Sequence, residues 1–250
     1  MAAAIKLHRH VGRRRTGRFL AEGPNLVEAA LRRGLVIEVF VTEGALSRFG
    51  PMLVDATVHV VTDRAAKALS DTVTPVGLVA VCEAPSISLV DALADGPRLV
   101  AVAAEISEPG NAGTLIRIAD AMGADAVVLA GHSVDPYNGK CLRASAGSIF
   151  AVPVVSETDT GGAVSALSGA GLRVLATTVD GEVSLDDADL SGPTAWLFGP
   201  ESHGLPEELA AMAADRIRIP MSGGAESLNV AAAAAICLYQ SAKAHRTGPN

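Results

Sequence analysis

The stretch Ile219-Pro-Met-Ser-Gly-Gly-Ala-Glu-Ser-Leu-Asn-Val230, with the alanine run 231–235 behind it, decides how this chain is read. A short apolar strand ends at Pro220. A loop of small residues follows, and Ser227-Leu228-Asn229 opens a long Ala-rich helix. Ser and Asn at a helix start are capping residues, and the first-turn N–H groups have no partner within the helix. Such a terminus accepts a polar or anionic ligand group. Two other segments bear on the same site: Asn111-Ala-Gly-Thr-Leu-Ile-Arg117 and Leu197-Phe-Gly-Pro-Glu-Ser-His-Gly-Leu205.

Working outward, residues 98–250 alternate regularly. Apolar runs predict strands at 99–104, 126–130, 150–155, 172–177, 195–198 and 216–219. Between them, helices are predicted at 114–122, 163–167, 206–214 and 228–244. This alternation gives a mostly parallel sheet covered on both faces. Residues 19–84 form a smaller α/β unit: a turn into a helix over 19–33, strands at 36–41, 58–61 and 77–82, and a helix at 63–71 capped by Asp63. Pro and Gly breaks mark 85–97 as a linker. Ligands of open parallel sheets bind beyond the carboxyl ends of the strands. Asn111, Gly199-Pro-Glu201 and 221–227 each follow a predicted strand, so three loops are expected to converge on one rim.

Composition narrows the function classes. With 49% hydrophobic and 19% charged residues over 250 positions, the chain builds a sizeable core. Its cysteines, Cys82, Cys141 and Cys237, are odd in number and widely spaced, which argues against disulfides or a structural zinc and fits a reducing cytosol. No apolar run follows the basic N-terminus as in a secretory leader, and 230–239 is too short to span a membrane. A cytoplasmic protein is expected. The net charge of −7 hides an asymmetry: residues 1–18 hold six basic and no acidic residues, leaving 14 bases against 27 acids elsewhere. A +6 arm on a −13 body suits phosphate, and suits a solvated tail equally well. Aromatics are 3%, so base stacking is not the main grip on any nucleic acid.

Familiar nucleotide and hydrolase signatures are missing. There is no P-loop; Gly169-Ala-Gly171 precedes a strand instead of following one; and Pro200 stands where a nucleophile elbow needs glycine. No metal-ligand cluster is evident. These absences disfavour a nucleotide-dependent oxidoreductase. The three segments, in their order and spacing, resemble the SpoU branch of the SPOUT RNA methyltransferases: N-x-G-x-x-x-R, then G-x-E-x-x-G-[LI], then a strand followed by Pro-Met and Glu-Ser-Leu-Asn-Val. The loop Val134-Asp-Pro-Tyr-Asn-Gly-Lys-Cys-Leu-Arg-Ala-Ser-Ala-Gly147 is similar to the family's intervening loop. Phe19-Leu-Ala-Glu-Gly and Thr74-Pro-Val-Gly77 are similar to the ribosomal-protein-like RNA-binding domain many members carry. Glu108-Pro109 stands where many members have Asp-Pro.

The resemblance implies an S-adenosylmethionine-dependent transfer to an RNA ribose 2′-oxygen, a trefoil-knotted catalytic domain, a homodimer with the cofactor near the interface, and no metal. It favours ribosomal RNA, 23S above all, over transfer RNA. It makes Arg117 the central catalytic residue. A guanidinium pKa above about 12 excludes it as a base at neutral pH, so stabilising the 2′-oxyanion and holding phosphate is its expected role; a bland alternative pairs it with Glu105 or Asp120. Asn111, Glu201, Ser227 and Asn229 complete the expected catalytic set, with Asn111 also fitting a helix cap near Gly113. His203 and Glu226 read as peripheral. Thr177, Leu197, Gly199, Ile219, Met221 and Leu228 are expected to hold the cofactor, and Arg13, Arg14, Arg15, Arg18, Lys140 and Arg143, with Ser145 beside them, to contact RNA through phosphate. A non-enzymatic RNA-binding or ribosome-assembly factor is the alternative from another class, and cofactor affinity separates the two.

Overall fold

Alternating runs fold into two sheets in the computed structural model, which describes residues 1–200 and 203–247. The first half contains α1 (Ala2–Ile5), α2 (His10–Thr16), β1 (Arg18–Glu22), α3 (Pro24–Arg32), β2 (Val36–Val41), α4 (Glu43–Phe49), β3 (Val58–Val60), α5 (Asp63–Leu69) and β4 (Leu78–Glu83). Its sheet runs β1-β4-β2-β3, antiparallel except between β2 and β3. The second half contains α6 (Leu89–Leu93), β5 (Leu99–Ala104), α7 (Pro109–Ala121), β6 (Ala126–Ala130), α8 (Gly139–Ser145), β7 (Val154–Glu157), α9 (Thr160–Gly169), β8 (Arg173–Thr177), β9 (Val183–Ser184), β10 (Thr194–Phe198), α10 (Glu207–Ala210), β11 (Asp215–Arg218) and α11 (Val230–Thr247). Its seven strands are all parallel, in the order β7-β6-β5-β10-β8-β11-β9.

Strand period two sets the layers. Leu99, Ala101 and Ala103 of β5 face a core shared with α7, α8 and α11, while Val100, Val102 and Ala104 face a second core against α6 and α9. The Trp196 indole N–H donates to Ser241 Oγ at 2.8 Å, both fully buried, and joins β10 to α11. The three thiols are buried, and burial pushes Cys82 and Cys141 up to about 12, so all serve as core. Strands β10 and β11 each insert between strands laid down earlier in the sequence, so the chain re-enters a sheet it has already built. No described helix is long and apolar enough to cross a membrane.

Several expectations need correction. Residues 1–18 are not a separate arm: α1 and α2 fold onto the first sheet, with Ala4 and Leu7 in a core that includes Phe40 and Leu69. Phe19–Glu22, read as a turn, is strand β1, where its neighbour β4 offers a full antiparallel register. Thr62 rather than Asp63 caps α5. The strand expected at 150–155 begins at Val154, after a short 3-10 turn at 148–150, and helix 206–214 shortens to 207–210.

Candidate active site at the carboxyl edge of the large sheet

The loops after β5, β8, β10 and β11 lie at adjacent positions of the parallel sheet, as the strand order requires. After β5 the chain turns through Glu105, a non-glycine at φ +57°, whose carboxylate accepts the His132 N–H at 3.1 Å. Helix α7 then begins at Pro109, not near Gly113. Its cap is Glu108, which accepts the Asn111 N–H at 3.1 Å. Lys140 ion-pairs with Glu108 at 2.5 Å and, with backbone N–H groups, holds that carboxyl below its ordinary value. The Asn111 side-chain Oδ1 accepts from Asn229 Nδ2 at 3.2 Å. Asn229 in turn caps α11, accepting the Ala231 N–H at 2.9 Å. Residues 118 apart are thus joined at the rim.

Beside this junction opens a cleft of about 610 Å³. Thr177, Gly199, Ile219, Met221 and Leu228 line it, together with Ser227 and His203. Leu197 does not: it is fully buried, and its carbonyl instead accepts the Thr177 hydroxyl at 3.0 Å. Gly199 is required by close packing, since a Cβ there would stand 2.7 Å from the Leu205 nitrogen. Sequence reading missed the polar wall made by Asp180 and Arg216, paired at 2.6 Å; the guanidinium lowers the Asp180 carboxyl below its ordinary value. Nothing in residue spacing signals that pair, because the partners lie 36 positions apart on different elements. The Arg216 Nε is buried without a hydrogen-bond partner among the described residues. The lining joins apolar side chains such as Ile219, Met221 and Leu228 to polar ones such as Thr177, Asp180 and Ser227, which suits a small ligand with an apolar and a polar part.

The remaining expected residues are placed as follows. Glu201 lies outside the described residues. Arg117 is exposed on α7, beside buried Leu115 and Ile116, and makes no ion pair with Glu105 or Asp120. It is not among the residues lining the cleft of its own chain. Lys140 and Arg143 are ion-paired, to Glu108 and at 3.6 Å to Asp71, yet Lys140 stays 61% exposed. Ser145 is buried, its hydroxyl donating to the Leu142 carbonyl. Arg14, Arg15 and Arg18 are exposed. Arg13, also expected to contact phosphate, instead turns inward and pairs with Asp135 at 2.7 Å. Among the described residues, no three His, Cys, Asp or Glu side chains cluster as metal ligands.

Comparison with known proteins places the chain in a family. Residues 98–239 match the SpoU rRNA Methylase family, and residues 3–80 match the MRM3-like substrate binding domain. The chain is 36% identical over 235 residues to the 23S rRNA (guanosine(2553)-2'-O)-methyltransferase RlmP of Bacillus subtilis (strain 168), covering 94% of this chain and 92% of that one. It is 30% identical over 247 residues to the 23S rRNA (uridine(2479)-2'-O)-methyltransferase of Streptomyces viridochromogenes, covering 94% and 86%. The AdoMet-bound rRNA methyltransferase from Sinorhizobium meliloti superposes with a TM-score of 0.86 at 31% identity, over 97% and 93% of the two chains. Rim, cleft and sequence motifs coincide within the matched region, and the chain belongs to the SpoU rRNA methylase family.

Proposed function

We propose that this chain methylates a ribose 2′-hydroxyl of 23S ribosomal RNA from S-adenosylmethionine, as a cytoplasmic homodimer. The observation that carries the reading is the junction of Asn111 and Asn229 beside a glycine-walled cleft, which brings three separate sequence motifs to one rim. S-adenosylmethionine supplies a methyl group already activated by a positive sulfur, so the residues here need only align and stabilise. Thr177, Gly199, Ile219, Met221 and Leu228 would hold its nucleoside, with Ser227 and the start of α11 near its polar end. Asn111 and Asn229 brace the rim. Arg117 stabilises the oxyanion that develops as the 2′-hydroxyl gives up its proton to solvent water, and grips the neighbouring phosphate.

Arg117 reaches such a site in a dimer. It is exposed on α7, which packs against α11, and the outer face of α11 leaves Ile236 and Tyr239 uncovered at 37% and 50% exposure. A second copy seated on this face buries them and brings its arginine to the neighbouring cleft. Arg14, Arg15 and Arg18 supply the phosphate grip on RNA from the N-terminal domain, 1–84, with 85–97 as the linker and 98–250 as the catalytic domain.

The test is to map 2′-O-methyl groups in 23S and transfer RNA from cells with and without this protein, alongside calorimetry with S-adenosylmethionine. One 23S ribose is expected to lose its methyl group. Loss confined to transfer RNA overturns the ribosomal assignment. No cofactor binding, with RNA binding intact, replaces the enzyme with a non-enzymatic assembly factor.

A further inference from the structure

Arg13 stands in the most basic stretch of the chain, yet only 8% of it is exposed. Its Nε donates to Asp135 Oδ2 at 2.7 Å, and its Nη1 donates to the carbonyls of Leu7 and His8 at 2.9 and 3.0 Å. Asp135 belongs to the loop between β6 and α8, so this bond crosses from the first half of the chain to the second. The same loop faces both ways. Toward the first half, the Tyr137 ring stacks on Phe19 with centroids 4.7 Å apart, while the Tyr137 N–H donates to the other Asp135 oxygen at 2.9 Å. Toward the active site, the Val134 N–H donates to the Ile106 carbonyl at 2.9 Å, within the segment that leads into α7. Helix α8, which the loop feeds, sits so close to α7 that a Cβ at Gly113 would lie 2.3 Å from the Cys141 carbonyl oxygen.

A buried ion pair adds little net stability, because desolvation offsets most of the attraction. What it imposes is register: a guanidinium held by a carboxylate and two carbonyls tolerates one arrangement. We propose that the Arg13–Asp135 pair is a positioning element that sets the RNA-binding domain against the helix carrying Arg117. Arg13 does not touch RNA. It fixes where RNA held by its exposed neighbours Arg14, Arg15 and Arg18 presents a ribose. The proposal rests on the methyltransferase reading above.

The test compares Arg13→Met, Asp135→Asn and the double variant with the wild type, on transcribed 23S rRNA. Methylation kinetics, S-adenosylmethionine calorimetry and the salt dependence of RNA binding are measured together. Each single variant is expected to lower kcat on the order of 10- to 100-fold, as misplacement of reacting groups does. The double variant is expected to be no worse than either single one. Cofactor affinity and salt slope stay at wild-type values. A salt slope smaller by about one in Arg13→Met alone makes Arg13 a phosphate contact and overturns the proposal. So does wild-type kcat in either single variant, additive loss in the double, or cofactor affinity that falls along with activity. Should the methionine variant fail to fold, Arg13→Lys keeps the charge but loses the fork; a reduced kcat supports the proposal and an unchanged one overturns it. An inert wild type sinks the methyltransferase reading itself, whereas the positioning role is judged only from variants against an active wild type.

Discussion

Arg117, the residue proposed to stabilise the oxyanion, is exposed on α7. Its neighbours Leu115 and Ile116 are fully buried, so the helix face they define turns the guanidinium outward. An exposed arginine with no carboxylate partner among the described residues contributes little to folding, so a catalytic effect of replacing it can be told from a structural one. Arg117→Ala is expected to lower methyl transfer by about 10²–10³, the range for removing one oxyanion-stabilising donor, while cofactor affinity holds. Single-turnover methylation with parallel calorimetry checks this; equal loss of both would mark the residue as structural. Arg13 shows the opposite case. Its type and neighbourhood matched those of Arg14 and Arg15, and only the fold reveals that it points at Asp135. A run of three arginines on a seven-residue helix cannot all face the same way, because successive positions turn about 100°.

At the scale of elements, the pairing of α7 with α8 is the tightest joint near the active site. An added Cβ at Gly113 would meet the Cys141 oxygen at 2.3 Å and the Ala144 Cβ at 2.7 Å. Neither neighbour is the free end of a flexible side chain, so relief requires moving a helix. Gly113→Val is expected to destabilise by at least about 1–3 kcal/mol through overpacking, read as a lower urea midpoint with an unchanged m-value. It is also expected to slow methylation, since α7 carries Arg117. A midpoint equal to wild type would show that the helices separate freely. Element types in the large sheet were legible because its strands are continuous apolar runs: 99–104 and 126–130 match to the residue. Helix α8 escaped notice, since Gly139-Lys-Cys-Leu-Arg-Ala-Ser145 is too short to show a period and rests on α7 and β1 for its stability. The 3-10 turn at 148–150 was hidden for a related reason: Phe150 and Val152 are apolar enough to read as strand, and only their packing says otherwise.

For the whole molecule, the proposed dimer would cover the exposed Ile236 and Tyr239 of α11 and bring Arg117, absent from the cleft of its own chain, to a neighbouring one. Sedimentation at micromolar concentration is expected to give twice the chain mass, and Ile236→Asp combined with Tyr239→Asp to give monomers without methyl transfer. A fully active monomer would contradict this arrangement.

Local sequence was sufficient for the parallel α/β class, the three convergent loops and five of the residues lining the cleft, because strand-loop-helix units carry their signals within about ten residues and parallel topology places their ends together. Tertiary structure alone decided that Asn111 bonds Asn229, that Glu108 caps α7, that Leu197 is interior, and that residues 2–16 fold against the first sheet. Each of these depends on which way a side chain turns or on a partner far away in the chain. Residue type and spacing hold no record of such contacts until packing selects one arrangement from many.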